Sequence, residues 1–332
     1  MTKRLLALVL AFLLLTGCAG RPDWQETEFF AMDTVMKLRL YGTEEPTEVF
    51  GTVIRGISAL ENVLSVTKEE SSVARLNRGE AVTPSEDLRI LLEKSIALSE
   101  RTDGCLDPTI YPLVKLWGFT TGEYRVPEET EVQNALKIIG SQYISFENDM
   151  ISLKNGTQLD FGAVAKGYAA EVCAKMIREA GCSGILTLGG NIQTVGEKPD
   201  GSDWRVGITD PEQPDESIAA LSLQGSHAVV TSGGYQRYFE ENGVRYSHII
   251  DPATGYPAQT GLSSVTIVAD SGFLADGLST ALYVMGLEAA TEFWRDSDDF
   301  EMVLITQEGE IHVSEGLSSR FSCEKEYQVI EK

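Results

Sequence analysis

Hydrophobic residues recur along the chain with two periods, which predict strands and helices in alternation. Met36, Leu38 and Leu40 alternate with Lys37 and Arg39, the period of a half-buried strand. The same reasoning predicts further short strands over 144–146, 150–153, 185–188, 205–208, 219–223, 228–231, 246–250 and 265–268, and a hairpin that joins 302–306 to 310–313.

Helices are predicted where apolar residues recur at three- and four-residue spacing. These segments cover 53–64, 84–104, 162–181, 272–285 and 288–295. The second has the clearest start, with Thr83 as N-cap, Pro84 at the first position and Glu86 at the third. The order of elements predicts an α+β fold with mixed or antiparallel sheets and packed helices.

The chain is long enough for a sizeable core, with 332 residues of which 42% are hydrophobic. We find no internal repeat, and after Phe29 no shift in composition marks a linker. We therefore predict one globular domain over 29–330.

The charge balance limits the possible ligands. Against 50 Asp and Glu there are 27 Lys and Arg, a formal charge of −23, so nucleic acid is a poor partner. A polyanionic small ligand would also be repelled unless a metal cation or oriented backbone N–H groups supplied positive charge.

The first residues read as an export signal. Lys3 and Arg4 precede an apolar run over 5–15, and Leu15-Thr16-Gly17-Cys18 resembles the bacterial lipobox, in which the cysteine thiol is acylated. We predict a lipoprotein signal peptide over 1–17, a lipid-anchored tether over 18–28, and a location on the extracytoplasmic side of the cell membrane. The alternatives are an ordinary secretory signal and an uncleaved anchor.

Four cysteines follow Cys18. They are Cys105, Cys173, Cys182 and Cys323, and none forms a C-x-x-C pair. With only three histidines in the chain, a Cys/His zinc site is improbable. We interpret the four as core thiols with at most one disulfide.

A first candidate site lies in the predicted helix over 272–285. Asp276 and Thr280 lie one turn apart on one face, with Ser279 beside them. A carboxylate and a hydroxyl are hard oxygen ligands that suit Mg²⁺. The alternative is that Asp276 stabilises the start of the helix and Thr280 bonds back to a carbonyl.

A second candidate is Asp160-Phe161-Gly162-Ala163-Val164-Ala165-Lys166-Gly167, at a junction of strand and helix. Small residues there let a ligand approach backbone N–H groups at the positive end of the helix. Gly167 lowers helix stability by about 1 kcal/mol relative to Ala, which indicates that a glycine is present here for a reason other than helix formation. The alternative is that the small residues allow the helix to pack tightly on the sheet.

A third candidate runs from Tyr246 to Pro257. A strand brings His248 and Asp251 to a turn rich in Pro and Gly, and such a pair can act as acid and base. Gly189-Gly190-Asn191 and Thr231-Ser232-Gly233 fit neither a dinucleotide-binding nor a P-loop pattern, so neither fold is supported.

Taken in order, these segments resemble the ApbE-type flavin transferases (FAD:protein FMN transferases). The matching motifs are Met32 with Thr34, Ser71 with Asn77, Leu106-Asp107-Pro108-Thr109, Leu116-Trp117-Gly118-Phe119, Asp160–Ala170, Gly189-Gly190-Asn191, Thr231-Ser232-Gly233, His248-Ile249-Ile250-Asp251-Pro252 with Thr254-Gly255, and Ala275-Asp276 with Ser279-Thr280. The resemblance covers nearly the whole chain after the signal.

The resemblance implies an Mg²⁺-dependent transferase that splits FAD, joins FMN through a phosphoester to a Thr or Ser of an acceptor flavoprotein, and releases AMP. It implies Asp276, Thr280 and the backbone carbonyl of Ala163 as metal ligands, and His248 with Asp251 near the transferred phosphoryl group. The implied contacts to FAD are Met32, Leu106, Asp107, Asp160, Lys166 and Ile250.

It further implies acceptors among membrane redox subunits of the Nqr and Rnf type, or secreted flavoproteins. Two other functions use the same motifs. One is an FAD pyrophosphatase that gives FMN and AMP, and the other is a non-catalytic FAD-binding lipoprotein.

Overall fold

The computed structural model describes residues 24–332, which form sixteen strands and eight helices. The helices are α1 (Pro46–Leu64), α2 (Ser72–Asn77), α3 (Glu86–Arg101), α4 (Tyr111–Leu116), α5 (Glu129–Leu136), α6 (Ala165–Glu179), α7 (Gly272–Met285) and α8 (Leu287–Arg295). The strands are β1 (Trp24–Ala31), β2 (Thr34–Tyr41), β3 (Ile144–Glu147), β4 (Met150–Leu153), β5 (Ser183–Leu188), β6 (Asn191–Val195), β7 (Trp204–Thr209), β8 (Ser217–Leu223), β9 (Ala228–Gly233), β10 (Tyr238–Glu241), β11 (Val244–Ser247), β12 (Leu262–Ala269), β13 (Phe300–Thr306), β14 (Ile311–Ser314), β15 (Phe321–Cys323) and β16 (Gln328–Ile330).

A nine-stranded sheet organises the molecule. Its order is β1-β2-β5-β6-β9-β12-β13-β14-β16, and every pair is antiparallel except β14 with β16. The alternation seen at Met36, Leu38 and Leu40 buries these three side chains on the helical side of β2. The α+β expectation with mixed and antiparallel sheets is confirmed.

Helices cover one face of this sheet and a small sheet covers the other. The strands β15, β8 and β7 form the small sheet, and Trp204, Leu221 and Leu223 lie in its apolar layer. On the opposite face α1, α3, α6 and α7 enclose the main core. A third cluster around Trp117, Phe119 and Ile250 supports the loops at one end of the sheet.

The structure corrects three predicted helix starts. The first helix, predicted over 53–64, already begins at Pro46. Helix α3 begins at Glu86 with Ser85 as its N-cap, because the Ser85 hydroxyl accepts the Leu88 N–H at 3.3 Å, and Thr83 and Pro84 precede the helix. Helix α6 begins at Ala165, three residues later than Gly162.

The structure also revises the predicted tether. Trp24–Ala31 pairs in full antiparallel register with Thr34–Tyr41, so the folded domain already includes 24–28. Cys18 and the signal over 1–17 lie outside the described residues. Within 24–332 no helix is both long enough and apolar enough to cross a membrane.

The cysteines of the described part of the chain are all free thiols. Cys173 and Cys182 are buried, as expected of core residues, whereas Cys105 and Cys323 are half-buried. Burial raises the pKa of the Cys173 thiol to about 12, so it is unreactive near neutral pH. The one disulfide that the sequence left possible is therefore not formed within 24–332.

Candidate active site

A cavity of about 700 Å³ opens where the β1–β2 turn, the start of α6 and the middle of α7 meet. Its size is that of a site for a small molecule or cofactor. With the exception of Asp251, every predicted site residue within 24–332 lines it. These residues are Met32, Leu106, Asp107, Asp160, Ala163, Lys166, His248, Ile250, Asp276 and Thr280.

Asp276 lies at the crossing of α6 and α7. Its Oδ2 accepts the backbone N–H of Gly167 at 2.8 Å, and the side chain is only 4% exposed. A Cβ on Gly167 would meet the Asp276 Cβ at 2.5 Å and the Gly272 carbonyl carbon at 2.7 Å. Gly167 is therefore required for close approach of two helices, rather than for packing on the sheet, and it also supplies a hydrogen bond to Asp276.

The hydroxyl groups next to Asp276 have a fixed direction of donation. Ser279 Oγ donates to the Asp276 carbonyl oxygen at 2.8 Å, so the Ser232 hydroxyl at 2.7 Å must donate to Ser279. Thr280 Oγ1 lies 3.3 Å from Ser232 Oγ, and because the Ser232 proton is used towards Ser279, Thr280 is the donor in this pair. The lone pairs of Thr280 Oγ1 therefore remain available to a ligand in the cavity.

This oxygen set fits a magnesium ion. Burial raises the pKa of Asp276, which means that its negative charge is poorly compensated by the protein. Within 24–332 no group of three or more His, Cys, Asp or Glu side chains is placed to hold a metal. One carboxylate with neutral oxygens suits Mg²⁺, which commonly completes its octahedron with waters and phosphates.

Asp160 shapes the turn that leads into α6. Its Oδ1 accepts the Gly162 N–H at 2.5 Å, and its own N–H donates to the Pro108 carbonyl at 2.8 Å. This turn explains why α6 starts only at Ala165. Lys166, in the first turn of α6, approaches the Gly162 carbonyl at 3.4 Å and lies close enough to Asp160 and Asp276 to lower the pKa of both, although burial raises each pKa more.

His248 directly follows β11, at the open end of the hairpin formed by β10 and β11. Its backbone N–H and its Nδ1 both lie within hydrogen-bonding distance of the Arg237 carbonyl oxygen, at 3.0 and 3.1 Å. A carbonyl oxygen can only accept, so Nδ1 carries the proton and Nε2 is free to accept one. Burial lowers the pKa of His248 to about 4, so the ring is neutral at physiological pH.

Asp251 has its carboxylate oxygens engaged inside its own turn. Oδ1 accepts the Ala253 N–H at 2.9 Å and Oδ2 accepts the Thr254 hydroxyl at 3.0 Å. The residue lines a second, smaller cavity beside Tyr256 rather than the main one. Both carboxylate oxygens of Asp251 are thus engaged in forming the turn that follows His248.

The turn after His248 is anchored by the hydrophobic cluster around Trp117. Trp117 Nε1 donates to the Gly255 carbonyl at 2.9 Å. Gly255 has φ +78, and a Cβ there would meet Val132 Cγ1 at 2.5 Å. The loop that follows His248 is thus held against α4 and α5, which keeps Ile250 and Pro252 at the cavity wall.

Two other predicted contacts lie on rigid turns. The Asp107 Oδ1 accepts both the backbone N–H and the hydroxyl of Thr109, at 2.7 and 2.6 Å, and burial raises the pKa of Asp107. Met32 (φ 48) and Asp33 (φ 60) form the β1–β2 turn, and the Met32 N–H donates to Glu61 Oε1 at 3.2 Å. Positive φ at both central residues is what a two-residue hairpin turn requires, so Met32 is held at the cavity wall by the turn itself.

Arg237 is a lining residue that the sequence reasoning missed. Among the described lining residues only Lys166 and Arg237 are Lys or Arg, against five Asp and Glu. The Arg237 guanidinium donates a hydrogen bond to the Phe119 carbonyl. This bond helps to hold Arg237 in the position where its own carbonyl oxygen contacts His248. Its position just after the Ser232-Gly233-Gly234 turn, in a strongly acidic chain, was the available signal.

Comparison with known proteins gives one consistent result. A sequence model of the ApbE family matches residues 32–304. The FAD:protein FMN transferase of Treponema pallidum is 30% identical over 330 residues, covering 92% of this chain and 91% of the relative, and that of Vibrio cholerae is 32% identical over 84% and 86%.

Solved structures agree with this result. The crystal structure of the ApbE protein of Thermotoga maritima superposes with a TM-score of 0.84 and 33% identity, over 91% of this chain and all of the other. The flavin transferase ApbE of Vibrio cholerae superposes with a TM-score of 0.79 and 28% identity, over 90% and 99%.

Proposed function

The chain belongs to the ApbE family and is a transferase, and from this premise we propose that it moves FMN from FAD to a hydroxyl of an acceptor protein in an Mg²⁺-dependent reaction. The acceptor oxygen forms a bond to the phosphorus of the FMN half. The bond from that phosphorus to the bridging pyrophosphate oxygen breaks, and AMP leaves with this oxygen. FMN is then held by a phosphoester to Thr or Ser.

One observation supports this reaction above all: a neutral histidine and a buried carboxylate with a hydroxyl partner line the same cavity. An alcohol is a weak nucleophile until its proton is accepted. His248 is neutral, its Nδ1 proton is held by the Arg237 carbonyl, and Nε2 is therefore the acceptor for that proton. With a pKa of about 4, His248 is already neutral at physiological pH and can accept a proton there.

Charge in the cavity favours a pyrophosphate with a cation. Lys166 and Arg237 supply two positive charges next to five carboxylates, which is not enough for a dinucleotide in a chain of charge −23. Asp276, Thr280 and the carbonyl of Ala163 would hold the Mg²⁺. The ion would neutralise phosphate charge and orient the phosphoryl group for in-line displacement.

The remaining binding residues divide by chemistry. Met32, Leu106 and Ile250 offer apolar surface, and Asp107 and Asp160 offer carboxylates that are fixed by backbone and hydroxyl donors. Because the hydrogen bonds within their turns already fix Asp107 and Asp160, these two side chains lose little conformational freedom when FAD binds.

We place the enzyme on the extracytoplasmic side of the cell membrane, held by a lipid on Cys18. The motif Leu15-Thr16-Gly17-Cys18 supports this location. On that side the family resemblance implies acceptors among membrane redox subunits of the Nqr or Rnf type or among secreted flavoproteins.

The test is incubation of the enzyme with FAD, Mg²⁺ and a candidate acceptor domain, followed by mass spectrometry of the acceptor and chromatography of the nucleotides. We expect covalent FMN on one Thr or Ser and one AMP per FMN attached, and neither on an acceptor whose hydroxyl residue is replaced by Ala. Free FMN with an unmodified acceptor would instead indicate a pyrophosphatase, and intact FAD would indicate a binding protein.

A further inference from the structure

One aromatic ring at the mouth of the cavity is left open to solvent. Three aromatic residues are among the described residues that line the cavity. Phe119 and Phe161 are 1% and 2% exposed and belong to the packed interior, whereas Phe30 is 70% exposed. Phe30 therefore has a ring face that no described part of the protein covers.

The hairpin that carries Phe30 is rigid. Phe30 pairs with Val35 across β1 and β2, while its neighbour Phe29 turns inward and packs on the main core. The turn beyond it is fixed by the hydrogen bond from Met32 N–H to Glu61. A ring presented on two paired strands loses little freedom when a ligand covers it.

A large apolar surface at the rim of a cavity is normally covered by the ligand. Flat aromatic rings of ligands stack on such side chains. The proposed substrate FAD has two ring systems, isoalloxazine and adenine, and either one could in principle cover Phe30.

We propose that Phe30 is the platform on which the isoalloxazine ring of FAD stacks. This inference rests on the proposed transfer of FMN. Isoalloxazine has three fused rings with an apolar dimethylbenzene edge, whereas adenine has two fused rings that carry an amino group. The isoalloxazine ring can therefore cover more of the exposed apolar face of Phe30 than adenine can.

The experiment compares four full-length proteins, the wild type and the variants Phe30→Ala, Phe30→Leu and Val35→Ala. Val35 is the matched control, because it is 61% exposed on the same hairpin but does not line the cavity. Dissociation constants for FAD, FMN and AMP are measured by isothermal titration calorimetry with Mg²⁺ present, and circular dichroism checks the fold.

We expect Phe30→Ala to raise the dissociation constants for FAD and FMN by about 5- to 100-fold, the range that loss of one stacked ring produces. Phe30→Leu should restore only part of the loss, because it keeps apolar area but has no aromatic face. Val35→Ala should change FAD binding less than about twofold, and none of the variants should weaken AMP binding.

Wild-type FAD affinity in Phe30→Ala, an equal loss in Val35→Ala, or a loss confined to AMP would each overturn the assignment of Phe30. The proposed function fails separately, if the wild type itself neither binds FAD nor attaches FMN to an acceptor. Since FAD binding and FMN transfer are both measured in the wild type, the two failures can be told apart.

Discussion

Gly167→Ala tests the helix crossing on which the candidate metal site is built. The new methyl group would lie 2.5 Å from the Asp276 Cβ and 2.7 Å from the Gly272 carbonyl carbon, and even closer to the Gly272 oxygen. Ordinary contacts between carbon atoms lie at about 3.5–4.0 Å. Helices α6 and α7 must therefore separate locally by about 1 Å.

Two opposing contributions determine how Gly167→Ala changes the free energy of unfolding. Replacing a helical Gly by Ala stabilises a helix by up to about 1 kcal/mol. Forcing a methyl group into a packed backbone contact destabilises the fold by about 1–3 kcal/mol. We expect a net loss of about 1–2 kcal/mol in the free energy of unfolding.

The same shift should damage activity. Moving the Gly167 N–H by about 1 Å would lengthen its 2.8 Å bond to Asp276 Oδ2 beyond hydrogen-bonding distance. The carboxylate would lose its orientation, so FMN transfer should require more Mg²⁺ and its maximum rate should fall.

Gly51→Ala is the matched control, since Gly51 also lies inside a helix and its new Cβ would meet only the end of the Arg55 side chain, at 3.0 Å. It should raise stability and leave transfer unchanged. The assays are urea unfolding and a Mg²⁺ titration of FMN transfer. Stabilisation of Gly167→Ala equal to that of Gly51→Ala, with the wild-type Mg²⁺ dependence, would refute the reasoning.

Four further outcomes follow from individual groups. His248→Ala should lower the FMN transfer rate at saturating FAD by roughly 10²–10⁴-fold with little change in FAD affinity, since a general base acts on the acceptor proton; a normal rate at saturation with lost FAD binding would make the residue a binding group. Because the pKa of His248 is about 4 in the fold and about 6.5 when unfolded, the unfolded chain takes up a proton first as pH falls. The wild type should therefore lose up to about 3 kcal/mol of stability between pH 6.5 and 4, seen by urea unfolding, and His248→Gln should lose less; identical pH profiles would count against burial of a neutral ring. Asp276→Asn removes the charge but keeps the shape, so it should weaken Mg²⁺ binding and nearly abolish transfer while the metal-free protein melts as before; wild-type transfer across a Mg²⁺ titration would favour a purely structural role. Cys18→Ala should leave an unprocessed precursor or a soluble form, measured by detergent partitioning and the mass of the mature chain; an unchanged mass and partitioning would contradict lipidation.

Strongly periodic segments were predictable from the sequence. The predicted 272–285 is α7, and the predicted hairpin appears as β13 and β14, because apolar period and turn residues agree there. Helices α2, α4 and α5 were missed. They have eight residues or fewer, and they are stabilised by packing around Trp117 and by caps such as Ser71 rather than by their own period.

The candidate site was predictable as a set of residue types but not as a geometry. Asp276 and Thr280 share a helix face, which spacing alone reveals. The role of Gly167 depends on Gly272, which lies 105 positions later in the chain, so it appears only when α6 and α7 cross. The engagement of the Asp251 carboxylate depends on hydrogen bonds inside the turn, to the Ala253 N–H and the Thr254 hydroxyl, which residue types alone do not reveal.

The early start of β1 has a consequence for where this enzyme can work. Trp24 is already part of the nine-stranded sheet, and only five residues lie between it and Cys18, a span of six steps from Cα to Cα. Even a fully extended chain of that length spans only about 20 Å. With Cys18 acylated, the catalytic domain would be confined to a thin layer above the lipid headgroups, and its encounters with membrane-bound acceptors would become a two-dimensional search at high effective concentration. A secreted acceptor would gain nothing from this confinement, so in a lipid-anchored enzyme the length of the tether would help to determine which acceptors are modified.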